Sequence, residues 1–155
     1  MRALATLLTM AIAGCATAGL TPLSHAQNAS DSMRDMLVLV DEEAAKIFSI
    51  AAAKADRDYP DDDAEYDRVM EKFENVNRVI EAARLEHALL SVAVGQWEQD
   101  PSGRERWYDV LPCALVTVET LASVLTEPVR GAALAVARQL RALRPAHWQE
   151  CRRQT

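Results

Sequence analysis

The chain has 155 residues, half of them hydrophobic, three cysteines and a formal net charge of −6. An excess of 23 acidic over 17 basic residues argues against nucleic acid as a partner, and the length suits one domain. The charge is uneven: residues 27–100 carry 18 acidic and 8 basic groups, whereas residues 101–155 carry 5 acidic groups and 8 arginines. Two halves of opposite sign attract within one chain or between chains.

Residues 1–26 read as a secretory signal. Arg2 is followed by the apolar run Ala3–Leu20, and small residues Ser24 and Ala26 precede Gln27. Thr and Gly interrupt the run, which disfavours a transmembrane helix. A second reading competes: Ile12-Ala13-Gly14-Cys15 resembles the bacterial lipobox, in which Cys15 is lipidated and becomes the new N-terminus. Either reading places the protein in the periplasm, or on the outer membrane facing it, with membrane contact only through a lipid at Cys15. Cleavage after Ala26 leaves a single domain, 27–155, with two cysteines. Cys113 and Cys151 are expected to form a disulfide in that oxidising compartment.

Residues 27–31 make a polar lead-in, and Ser32 with Asp35 forms a capping box that opens the first helix. Met33, Leu37, Val40, Ala44, Ile47 and Ala51 supply its seam. It fades near Asp58, because Tyr59 precedes Pro60. The turn Asp56–Asp63 has the acidity of a calcium loop but places Asp61 where an EF-hand needs glycine, so a solvated turn is expected, with Asp62 and Glu65 capping the next helix.

That second helix spans Asp63–Gln99, about 55 Å. Its seam runs Tyr66, Val69, Phe73, Val76, Ile80, Ala83, His87, Leu90, Val94, Trp97, and such a seam is expected to be buried throughout. It outruns the first helix by about ten residues. The segment Leu90–Trp97 therefore needs cover from the tail or another chain, which makes Leu90, Val94, Trp97, Trp107 and Trp148 a candidate partner surface.

A third helix, Arg104–Leu125, carries the seam Trp107, Leu111, Ala114, Val118, Leu121, Leu125, with a bend expected at Pro112. The fourth opens at Thr126-Glu127-Pro128, carries Val129, Ala133, Val136, Leu140 and Leu143, and stops before Pro145. Four helices with short connections make an all-α, up-down-up-down antiparallel bundle with a long second helix. A straight fourth helix would carry Cys151 past Cys113, so the chain must fold back at Pro145 for the disulfide to close.

The start of the first helix, the end of the second, the start of the third and the tail meet at one end, together with all three tryptophans. A site is expected there. No His-x-x-x-His or Glu-x-x-His pair suggests a di-metal centre, and no serine or cysteine sits in a recognisable nucleophile motif, so neither catalytic residues nor a metal are expected. His87 reads as a core histidine that fixes helix register, with ligation as the sharper alternative.

The segment Gln139-Leu140-Arg141-Ala142-Leu143-Arg144-Pro145-Ala146-His147-Trp148-Gln149 resembles the last helix of the periplasmic soluble b-type cytochromes. The resemblance implies a four-helix bundle and, as a cofactor, haem b held between a Met near the mature N-terminus and a His near the C-terminus. Met33 and His147 are the corresponding candidates, with His87 a third candidate ligand; Trp148 stands where the family has its histidine. The residues themselves favour a non-enzymatic, exported helical bundle with a binding or adaptor role, meeting a protein partner or a second copy of itself. The haem-binding bundle is the alternative.

Overall fold

The computed structural model describes residues 21–146 and 149–152. Cys15, His147 and Trp148 lie outside the described residues. Four helices are present, α1 (Pro22–Asp58), α2 (Asp63–Gln99), α3 (Gly103–Val124) and α4 (Val129–Ala142), with no strand among the described residues. They pack in ring order: α1 on α2, α2 on α3, α3 on α4, and α4 back on α1. This is the expected all-α four-helix bundle.

The start of α1 departs from expectation. Instead of a lead-in over 27–31 and a start at Ser32, the helix begins ten residues earlier. Thr21 is its N-cap, accepting a hydrogen bond from the Ser24 amide at 3.1 Å, and Pro22 occupies the first turn, where its missing N–H costs nothing. Ala26, Ala29 and Ser30 are buried and Leu23 packs against the core. A domain beginning at Gln27 would lose the cap, the first turn and the contacts of Leu23 and Ala26.

α1 and α2 are consequently equal, at 37 residues each. The first turns of α1 supply the cover that Leu90–Trp97 needs. Gln27 Nε2 donates to Glu98 Oε1, and the Ser30 and Ser91 hydroxyls share a hydrogen bond of 3.2 Å.

α2 begins and ends as expected, with Asp62 Oδ1 accepting from the Glu65 amide. α3 is the apolar wall of the bundle and runs unbroken through Pro112; all six of its expected seam residues are buried. Asp100, Pro101 and Ser102 turn the chain so tightly that Gly103 is pressed onto the backbone of Gln96 and Trp97. At the start of α4, the Glu127 carboxylate accepts from the Gly131 amide at 3.1 Å, and Arg141 pairs with Glu119 across the α3–α4 seam.

Helix lengths decide the shape. α3 and α4 have 22 and 14 residues against 37 for the other two. The ring contact Phe48–Phe73 and the Ser30–Ser91 bond fix the register of α1 on α2, and Arg106 bonded to Gln96 fixes that of α2 on α3. In that register α3 ends level with Val79 of α2. Beyond it, residues 44–58 of α1 and 63–77 of α2 continue as a two-helix arm about 22 Å long. Between Val40 and Ile80 only Ala55 is buried. The second-helix seam is thus not buried throughout: Ile80, Ala83, Leu90 and Val94 are buried and His87 and Trp97 half-buried, whereas before Ile80 the residues Val69, Phe73 and Val76 are half-buried and Tyr66 is exposed.

Candidate functional site

The tryptophan end was the expected place for a site, and among the described residues most of its expected surface is core. Leu90 is 0% exposed, Val94 is buried and Trp107 is 1% exposed. These three are core residues, not a partner surface, because α1 starts early enough to cover them. Trp97 is half-buried and packs at a tilt on Tyr108, with ring centroids 6.5 Å apart. The Arg104 guanidinium lies 5.6 Å from the Tyr108 ring centroid. The fold-back at Pro145 does occur: α4 stops at Ala142, and the tail returns to set Cys151 against Cys113 of α3 as a disulfide, Cα to Cα 4.6 Å.

Met33 and His87 lie at about the same level of neighbouring helices, but they face differently. Met33 has no exposed surface and belongs to the core. His87 is half-buried at the α1–α2 seam, with Nε2 3.3 Å from the Ser91 hydroxyl. Neither lines any of the three grooves described below, and the described residues hold no group of three or more His, Cys, Asp or Glu placed to bind a metal. The described part of the implied haem ligand set thus consists of an enclosed thioether and a histidine committed to its own seam.

His87, expected in the core, is instead half-buried and carries a pH signature. Burial pushes its imidazole below the ordinary value of 6.5; the Ser30 backbone and Asp31 pull the other way, and Arg34 adds to the depression. The unfolded chain therefore binds the proton more readily than the folded one. Stability from this group is fully present above about pH 6.5 and is lost as the pH falls through the folded pKa. Thermal melts at pH 7.5 and 5.5 should show a larger fall for the native protein than for His87→Gln. Equal falls would show that the histidine carries no such linkage.

The open surface lies at the other end. On the arm, Phe48 and Phe73 meet edge to face at 4.7 Å, and alanines at 44, 51, 52 and 55 let α1 approach α2 closely. At its root Arg84 bridges Asp41 of α1 and Glu81 of α2; the Arg84 guanidinium is held above its ordinary value chiefly by the hydrogen bond to Asp41. Two grooves flank α2 there. One, about 570 Å³, lies between α1 and α2 over Phe48, Met70 and Phe73. The other, about 940 Å³, lies between α2 and α3 over Val79, Ala82, Leu85 and Val116. Glu86, a buried carboxylate that sequence reasoning passed over, lies on the wall of the second groove and of a third, about 440 Å³, beside the Cys113–Cys151 bridge.

The arm also carries exposed apolar side chains: Ile47 at 39%, Ile50 at 69%, and Tyr59 and Tyr66. Ile47 had been expected in the buried seam. It continues the side of α1 that buries Ala29 and Met36 in the bundle, but no helix of this chain reaches that far. The sequence signal for this lies in the shortness of α3 and α4 beside α1 and α2.

The described helices include none long and apolar enough to cross a membrane. No protein-family model, no curated protein and no solved structure matches this chain.

Proposed function

We propose that this chain is a non-enzymatic, exported helical-bundle protein that serves as a binding or adaptor module and meets a protein partner through its arm. One observation carries the reading. The apolar side of α1 runs past the start of α4, so that Ile47 and Ile50 stand in solvent on a helix pair that the chain itself leaves uncovered. The bundle below, clamped by its disulfide, is the rigid base from which the arm projects.

Export is read from the leader, and the extent of α1 bears on how it is processed. Cleavage after Ala26 would strip Thr21, Leu23 and the buried Ala26 from the folded helix. Processing at the lipobox, before Cys15, would leave α1 whole. We therefore favour a lipid-anchored form with Cys15 as mature N-terminus. Mass spectrometry of the exported protein should find an acylated N-terminal Cys15, and a free N-terminus at Gln27 would overturn that.

The binding role is tested by placing a photo-crosslinking amino acid at Ile50 and, as a control, at Val38, which is exposed on the bundle part of α1. Crosslinks to protein are expected from position 50 and not from position 38. No adduct at position 50, or equal adducts at both, would remove the arm as a binding surface.

A further inference from the structure

Resting on the reading that the arm binds protein, we infer that its occupant is the arm of a second copy of this chain, packed antiparallel about a two-fold axis through the exposed stripe of α1. The stripe is Glu43, half-buried at the root of the arm, and the exposed Ile47, Ile50 and Lys54, spaced four, three and four, so that all four share one side of the helix. It points where α4 would lie if α4 were longer, and so continues an interface the bundle already uses.

The order of residues is self-complementary. Laid antiparallel on itself about a centre between Ile47 and Ile50, the stripe sets Ile47 on Ile50 of the second copy and Glu43 opposite its Lys54. The two-fold repeats each contact. A parallel pairing would instead set Glu43 on Glu43 and Lys54 on Lys54.

The surrounding charges favour the same arrangement. Glu43 already pairs with Lys46 on its own helix at 2.9 Å, whereas Lys54 has no ion pair among the described residues. The turn 56–63 carries five aspartates and one arginine. In the antiparallel pairing the two turns lie roughly 28 Å apart, several times the ~8 Å Debye length at physiological salt; in a parallel pairing they would meet and repel.

The test is sedimentation of the purified, exported protein over a concentration series. The native protein should pass from monomer to dimer. Ile50→Glu should stay monomeric at every concentration while keeping the native far-UV circular dichroism and the melting curve of the native protein at its most dilute. Glu43→Lys and Lys54→Glu should each raise the dissociation constant about tenfold by turning two attractions into two repulsions, and the double exchange should restore native association. A dimer that survives Ile50→Glu, or single exchanges that the double one fails to rescue, would overturn the two-fold. A strict monomer whose position 50 still crosslinks a different protein would overturn the second copy as occupant and leave the binding role standing. A strict monomer that crosslinks nothing would overturn both.

Discussion

Gly103→Ala should destabilise the protein by about 3 kcal/mol or more, a large share of the roughly 5–15 kcal/mol that holds a domain together. The cause is local. The connection between α2 and α3 is three residues long, and the Gly103 amide closes onto the Asp100 carbonyl at 3.0 Å. A methyl group at Gly103 would overlap the backbone of Gln96 and Trp97, which cannot step aside as a flexible side chain could. Relief requires α3 to pull away from the end of α2. Trp107, four residues into α3 and fully buried, would move with it. Gly95, about one turn before the end of α2, supplies the contrast: a methyl group there meets nothing within 4 Å. Gly95→Ala should stabilise by up to about 1 kcal/mol through helix propensity alone. Denaturant melts of the two variants should therefore move in opposite directions. A harmless Gly103→Ala would show that the α2–α3 corner is looser than this structure describes.

Breaking the Cys113–Cys151 bridge should cost about 3–4 kcal/mol, because the bond closes a loop of 38 residues in sequence separation and removes that freedom from the unfolded chain. For a domain of this size the melting temperature should fall by roughly 10 °C on reduction, and similarly in the double variant Cys113→Ala with Cys151→Ala. The bridge also holds the tail. After α4 ends at Ala142, the Leu143 and Arg144 amides return to Leu140 and Arg141, and Pro145 offers no amide to continue the helix. The tail then runs to α3, where Glu150 and Cys151 form part of a groove wall with Pro112 and Glu86. Without the bridge this stretch should exchange its amides freely while the bundle remains protected. Peptide mapping of non-reduced protein should find the linked pair. A melting temperature unmoved by reductant would show that the bridge constrains nothing the fold needs.

Much of the fold was legible in the sequence because it is written in short-range signals. The 3.6-residue recurrence of apolar side chains placed α2 at its observed ends, and every expected seam residue of α3 is buried. Tyr59-Pro60 and Asp100-Pro101 marked the turns, and Asp62 caps α2 as its spacing to Glu65 required. The disulfide followed from two cysteines and one proline, since only a fold-back at Pro145 brings Cys151 to Cys113. These inferences need nothing beyond local backbone preference and helix geometry.

What the sequence could not decide was which stretches of seam find a neighbour. Ile47 and Val40 belong to the same apolar recurrence, yet one is fully buried and the other stands in solvent. The difference lies not in their own surroundings along the chain but in the lengths of α3 and α4, which end before they reach Ile47. Leu90 and Val94 show the converse. A helix beginning at Ser32 would leave them exposed; with Thr21 and Pro22 starting α1, Ala26 and Ala29 are buried at that end. A helical period fixes the direction in which a side chain points. Only the summed lengths and registers of the other helices determine whether anything is there to meet it. The sequence by itself thus determined the four helices, their turns and the clamp. The tertiary structure decided that Leu90, Val94 and Trp107 are core and that the opposite end projects a bare arm.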